Sequence, residues 1–416
     1  MTRHTSGFFR AAICAFAMAA AGACAAPSMQ PEIATGAVTP NALTGTEARK
    51  SDKSSERVAK VALLLPLSAT GQTAAIAKGM KQAGEMALFD AGSANVQLIV
   101  KDDRGTPEGA AAAAEEAIKD GAEMIIGPLF AASVKVVAPV ASRANIPVVA
   151  FSNDAQVAGR GVYLMSFLVT QDINRIVAYS VAQGRKRFAA LVSDDDYGRL
   201  VAEAFRQAVA ASGGTVKALE SYPPQANAML EPARRMVEAM KRADEDGEPV
   251  EAVFLPGGSD QLASLGPLVT YAGLDTSRVK LIGTGAWDYP GIGREVAFVG
   301  GWFAAPEPRG WQEFSERFGK TFGSAPPRIA TLSYDAVSMA VQLAGNPAGA
   351  RFTAATLTRP SGFSGADGAV RLRADGTAER GLAILEVQKI GVNLLEPAPA
   401  GFTPAKLSSS GSRSVN

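Results

Sequence analysis

The side chains able to do chemistry in this 416-residue chain are few and unevenly placed. Its one histidine is His4 and its two cysteines are Cys14 and Cys24, so everything from residue 25 onward contains neither type. That removes Ser-His-Asp and Cys-His nucleophilic catalysis, histidine acid–base chemistry near neutral pH, Cys/His zinc sites and structural disulfides from the body of the protein. Carboxylates, hydroxyls and glycine-rich turns remain. Asp194-Asp195-Asp196, ahead of Tyr197-Gly198, clusters hard oxygen donors of the kind a divalent cation takes. Their position after a strand pattern and before a helical one suits loop and N-cap acids better. Gly283-Thr284-Gly285 and Pro256-Gly257-Gly258 offer backbone N–H groups, but neither continues into a phosphate-binding fingerprint, and both read as strand-end turns. A hydrolase working with carboxylates alone would need a pair with separated pKa values, and no spacing signals one. The expectation is a non-catalytic protein with no metal and no cofactor.

The elements that would position such residues follow from composition and periodicity. The chain is 47% apolar and 19% charged, ordinary for a globular protein long enough for two or three domains. Basic and acidic residues number 41 and 40, with Arg3 and Arg10 at the N-terminus and no sustained Lys/Arg run. Nucleic acid, which demands a strongly basic face, is set aside as a partner. From Val58 short apolar runs (60–65, 96–101, 123–126, 146–151) alternate with Ala-rich helical windows (74–90, 107–120, 131–144). The alternation restarts at 188–192 and runs to 279–282. This is the pattern of parallel sheets with crossover helices, twice over. Beyond it, 299–304 reads as a strand, 310–322 and 329–343 as helices, and 365–372 with 382–388 as a hairpin around Asp375-Gly376. Trp302 and Trp311 read as packing residues.

Residues 1–25 have the parts of a secretory signal: a cationic start, the apolar stretch Ala11–Ala20, and small residues before Cys24. The stretch is shorter than the roughly 18–20 residues of a membrane-spanning helix. Ala21-Gly22-Ala23-Cys24 is similar to a bacterial lipobox with Ala21 in place of the usual large aliphatic residue, so lipidation of Cys24 and plain signal cleavage are both open. Residues 26–57, rich in Pro, Ser, Thr, Ala and Lys without apolar period, read as a disordered tether, and 399–416 as a disordered tail.

One family shares this order of motifs. Val61-Ala62-Leu63-Leu64-Leu65-Pro66-Leu67-Ser68, Ile126-Gly127-Pro128-Leu129, Ile146-Pro147-Val148-Val149, Asp194-Asp195-Asp196-Tyr197-Gly198 and Tyr334-Asp335-Ala336-Val337 fall as they do in the Leu/Ile/Val-binding family of periplasmic solute-binding proteins, which the chain resembles from about Val58 to Ile390. The resemblance implies an α/β fold of two Rossmann-like lobes with parallel sheets, three crossovers and a central cleft. Lobe 1 would comprise 58–165 and 286–345, and lobe 2 would comprise 166–285 and 346–398, with crossovers near 164–168, 283–288 and 345–352. It implies a small polar ligand, an amino acid among the candidates, held in the cleft for an ABC permease, and a periplasmic location with the membrane met only through a lipid on Cys24. The ligand residues carried over are Ser68, Ser133, Ser152, Asn153 and Asp154 in the first lobe, with Ser259, Trp287 and Asp288 in the second. Three family positions depart: Ala131 stands where amino-acid binders carry a hydroxyl, the aromatic lid falls near Gly258-Ser259-Asp260, and the acid for the ligand ammonium falls near Gly285. Leu64-Leu65-Pro66-Leu67-Ser68 and Gly127-Pro128-Leu129 also resemble the lipoprotein activators of penicillin-binding proteins, in which the same fold serves as a partner-docking surface.

Overall fold

The computed structural model describes residues 58–402 apart from 93, 224, 226 and 227. The expected signal, Cys24 and tether lie outside the described residues, as does the expected tail beyond Phe402. Strand β1 (Ala59–Leu65) is buried along almost its whole length, as a central parallel strand must be when helices cover both of its faces. It pairs in parallel with β2 (Val96–Asp102) on one side and β3 (Met124–Ile126) on the other. Then β4 (Val148–Ala150) and β5 (Val162–Leu164) extend the sheet, giving the order β2-β1-β3-β4-β5. The crossover helices are α1 (Gly71–Ala91), α2 (Pro107–Lys119) and α3 (Ala131–Arg143). Gly127, which leaves β3, has φ +93 and stands where a Cβ would meet the Leu64 carbonyl oxygen at 2.2 Å, so only glycine turns the chain there.

The chain crosses after Leu164 and starts the second lobe with α4 (Val169–Ala182), β6 (Arg187–Ser193), α5 (Asp196–Ala211), β7 (Thr215–Tyr222), α6 (Leu230–Glu245), β8 (Ala252–Phe254), α7 (Ser259–Tyr271), β9 (Lys280–Gly283) and β10 (Trp302–Ala305). Helices α8 (Pro308–Phe322) and α9 (Ala330–Ala344) return to lobe 1, where α9 packs along α1. Gly79 makes that approach close, since a Cβ there would strike the Pro327 ring at 2.4 Å. A short helix α10 (Ala354–Leu357) precedes a small antiparallel sheet of β11 (Phe363–Gly365), β12 (Gly368–Leu372) and β13 (Ala378–Arg380). Finally β14 (Ala383–Val387) and β15 (Val392–Glu396) add antiparallel strands to the second sheet, whose order is β15-β14-β10-β9-β8-β6-β7.

This corrects the expected segments. Residues 286–305 stay in lobe 2, because β10 pairs in parallel with β9. Residues 346–380 belong to lobe 1, because Phe352, Leu357, Phe363, Val370, Leu372 and Ala378 join the core of β1, α1 and α9. The later crossovers therefore fall at Ala305–Pro308 and Arg380–Ala383, not at 283–288 and 345–352. The partner of β12 across the Asp375-Gly376 turn is β13, not the 382–388 run. That run is apolar on both faces because it lies inside the second sheet, between β10 and β15. Trp302 is buried in lobe 2 and Trp311 packs beside Phe314 and Phe318.

Candidate ligand cleft

The carboxyl ends of both parallel sheets open toward the crossovers, the place where open α/β sheets bind ligands. A cleft of about 250 Å³ lies there, with walls from both lobes. Lobe 1 supplies Asn153, just past β4, and Arg328, just ahead of α9. Lobe 2 supplies Asp172 from the first turn of α4, Tyr197 from the first turn of α5, and Thr284 to Ala286 with Asp288 from the segment after β9. Phe167 and Val169 of the first crossover and Pro306 of the second close its hinge side.

Each polar wall residue has a definite environment. Asp172 Oδ2 accepts the Gly285 backbone N–H at 2.9 Å. Gly285 permits this approach, because a Cβ there would stand 3.1 Å from the same oxygen. Burial pushes the Asp172 carboxyl up to about 7, with the Gly285 N–H pulling the other way. Burial likewise raises the Tyr197 phenol, against a bond to the Thr284 hydroxyl. Thr284 itself is buried and accepts the Ala286 N–H at 3.4 Å. Arg328 donates from Nη1 to Asp367 Oδ2 at 2.9 Å and lies over the rings of Phe167 (5.0 Å) and Trp311 (4.8 Å). Burial raises Asp288, whereas the nearby Arg328 cation lowers it and Asp367 raises it further.

Behind Phe167 the first and third crossovers meet at a buried ion pair. Arg380 Nη1 donates to Asp335 Oδ2 at 3.2 Å, and both side chains are essentially without solvent contact. The guanidinium also donates to the Ser166 carbonyl at 3.4 Å and sits 4.8 Å from the Phe167 ring centroid. Asp335 Oδ1 accepts the Ala366 N–H at 2.6 Å. From the other lobe, Gln171 Oε1 accepts the Arg380 N–H at 2.9 Å and Arg175 Nε donates to the Leu382 carbonyl at 3.0 Å. The pair thus ties α9 to the first and third crossovers, while the first turns of α4 hold the third crossover from below.

Of the residues carried over from the family, Asn153 and Asp288 line the cleft. The others have local duties. Ser68 is exposed on the turn after β1, its N–H donating to Asp102 Oδ1 at 3.2 Å. Ser133 is buried inside α3 with no partner for its hydroxyl. Ser152 Oγ accepts the Asp154 N–H at 3.2 Å, and Asp154 caps a short 3₁₀ turn through the Gln156 N–H at 2.9 Å. Ser259 starts α7, exposed beside Asp260. Trp287 is corrected outright: it is fully buried, donates Nε1–H to the Leu255 carbonyl at 3.0 Å and packs edge-on to Phe298 at 5.0 Å. It is a core pillar of lobe 2, seated against Gly283, where a Cβ would clash with the indole at 2.1 Å.

Asp172, Tyr197, Thr284, Phe167 and Arg328 were not expected in the site. Asp172 reads in sequence as an ordinary first-turn acid, and Arg328 follows two prolines as a loop cation. Only the fold buries them together. The acid triplet proves to be a cap: Asp195 Oδ1 accepts the Gly198 N–H at 2.7 Å, and Asp194 and Asp196 face Arg199. Among the described residues no group of three or more metal-ligating side chains is gathered.

The profile of the periplasmic binding proteins matches residues 58–391. The chain belongs to that family. No curated protein matches its sequence. Among solved structures, a Rhodospirillum rubrum protein assigned to branched-chain amino acid ABC transport is 19% identical with a TM-score of 0.68, over 81% of this chain and 100% of the other. An ABC-type branched-chain amino acid transporter protein of Rhodopseudomonas palustris CGA009 is 22% identical with a TM-score of 0.65, over 81% and 95%. A solute-binding protein of R. palustris BisB5, solved with 3,4-dihydroxybenzoic acid, is 22% identical with a TM-score of 0.55, over 83% and 97%. At such identities the likeness is one of fold: two α/β lobes on three crossovers.

Proposed function

We propose that this periplasmic binding protein captures a small polar solute, an amino acid or a compound of similar size, in its interlobe cleft and presents it to an ABC permease. The observation that carries the reading is the cleft itself. It lies at the carboxyl ends of both sheets, is walled by both lobes, and sets a cation and a carboxamide on one wall (Arg328, Asn153) against two carboxylates on the other (Asp172, Asp288). A ligand touching both walls favours the closed arrangement by its extra contacts, and the hinge carries that change to the outer surface. The neighbours named for branched-chain amino acid transport support an amino-acid ligand. The one solved with dihydroxybenzoic acid shows that a like fold also takes an aromatic acid. The protein works without catalysis, exported to the periplasm.

Thermal-shift titration of the purified protein with the common amino acids tests this. A true ligand at 100 times its Kd adds about 2.7 kcal/mol and raises Tm by a few degrees. If no small solute of any class shifts the transition or gives heat in calorimetry, the importer reading fails.

A further inference from the structure

The cleft's charges do not balance. Its one cation, Arg328, is committed to Asp367 at 2.9 Å and held over two aromatic rings. Asp367 is itself buried, with Oδ1 lacking any hydrogen-bond partner, so it draws fully on that guanidinium. Asp288 has only a share of Arg328 through the field between them. Asp172 has less: among the described residues no Lys or Arg pairs with it, and its carboxylate accepts the Gly285 N–H. A carboxylate held in a low-dielectric wall without a counter-ion is costly unless something else brings the charge. The family's acid for a ligand ammonium would fall near Gly285, and here that glycine instead makes room for a carboxylate arriving from α4. On the lobe 1 side neither carried-over hydroxyl lines the cleft: Ser152 is buried, its Oγ accepting the Asp154 N–H, and Ser133 is buried in its helix.

We infer that the cleft selects an organic cation, a ligand of net positive charge bearing a protonated amine, and that Asp172 is the residue that receives the ammonium. The inference rests on the solute-capture reading and narrows it. The groups facing Asp172 are the Gly285 N–H, the Tyr197 phenol of α5, Asp288 beyond the same turn, and Arg328 across the cleft. The phenol offers a ring face as well as an oxygen to a cation. Among the described residues no Lys or Arg pairs with Asp172, so the ligand's amine is the missing partner.

Calorimetric titration of the purified protein with 1,4-diaminobutane, lysine, leucine and benzoate separates the outcomes. Binding of either cation in preference to leucine and benzoate is expected. Asp172→Asn, which keeps an acceptor for Gly285 N–H, should weaken that binding roughly 10- to 100-fold, the range for a hydrogen bond to a charged group. Asp288→Asn should weaken it less, because Arg328 already answers part of that charge. Unchanged melting of the variants at pH 4, below the window in which Asp172 titrates, confirms that they fold. Tighter binding of leucine or benzoate, or an affinity in Asp172→Asn within about 2-fold of the parent, overturns the inference and leaves solute capture standing. No binding by any of the four, together with no thermal shift from any other solute, overturns both.

Discussion

Two aspartates, Asp335 fully buried and Asp172 half-buried, stand in the same hinge-and-cleft region, and the protein treats them in opposite ways. Asp335 has a complete shell: the Arg380 guanidinium, the Ala366 N–H, and Gly365 so close that a Cβ there would overlap the carboxylate at 2.4 Å. Asp172 has one backbone N–H and an open side facing the cleft. Burial raises both carboxyls, but only Asp335 has an opposing cation to pull it back. A buried charge with its partner in place is architecture. A buried charge whose partner is absent is a seat.

The largest test breaks the complete one. Arg380→Ala leaves Asp335 without its counter-ion in a pocket sealed from water, and breaking a buried pair in this way costs about 3–5 kcal/mol. For a domain of this size the transition should fall by roughly 4–8 °C, measured by calorimetry or circular dichroism. Arg380→Met with Asp335→Leu removes both charges and should recover much of the loss. If the single variant melts within a degree of the parent, the ion pair is not the clasp of the crossovers.

The incomplete one predicts a pH effect of definite sign. The folded Asp172 carboxyl lies at about 7, above its ordinary value of 3.8. Between those values the folded state holds a proton the unfolded state has lost, so stability falls as pH rises from about 4 through 7 and is flat below that window. Three units correspond to a contribution of about 4 kcal/mol at most. Asp103, pushed by burial to about 6, drifts in the same direction, so the informative measurement is a difference. Asp172→Asn and the parent should melt together near pH 4.5, and the variant should melt several degrees higher at pH 7.5. A gap independent of pH would mean that the carboxylate is better solvated than its surroundings indicate.

How much of this was legible beforehand follows the range of the interactions. The β-α alternation from Val58 is local, and its apolar runs found the strands because a parallel strand is buried on both faces whatever surrounds it. Segments 286–305 and 346–380 were misplaced because Trp302–Ala305 and Gly368–Leu372 are short apolar runs whose lobe depends on which sheet or core is free to take them. Nothing in the runs themselves records that. In the cleft, Asn153 and Asp288, carried over from the family resemblance, do line the walls. Asp172 and Arg328 were missed because the signal that marks them, a charge taken out of water, exists only after the crossovers close. Trp287 misled because an indole beside glycines reads equally as a binding face and as a plug for the hollow those glycines leave.

The smallest effect comes from an acid that stays half in water. Asp195 stands at the head of α5, two residues before Tyr197, and accepts both the Gly198 N–H and the Ser193 hydroxyl, at 2.7 and 2.8 Å. Unlike Asp172, it is not among the residues that line the cleft. Asp195→Ala removes an N-cap and should cost about 1 kcal/mol, a degree or two in Tm. Asp196→Ala, which loses only a solvent-exposed pair with Arg199, should be almost silent. Gly198 sharpens the contrast, for its Cα lies so near the Ser193 carbonyl that a Cβ would meet that oxygen at 1.7 Å, and the cap therefore fixes where Tyr197 enters the cleft wall. Equal melting of the two variants would show that the helix start is held by that close approach alone, and that among the acids around this cleft only the buried ones carry energetic weight.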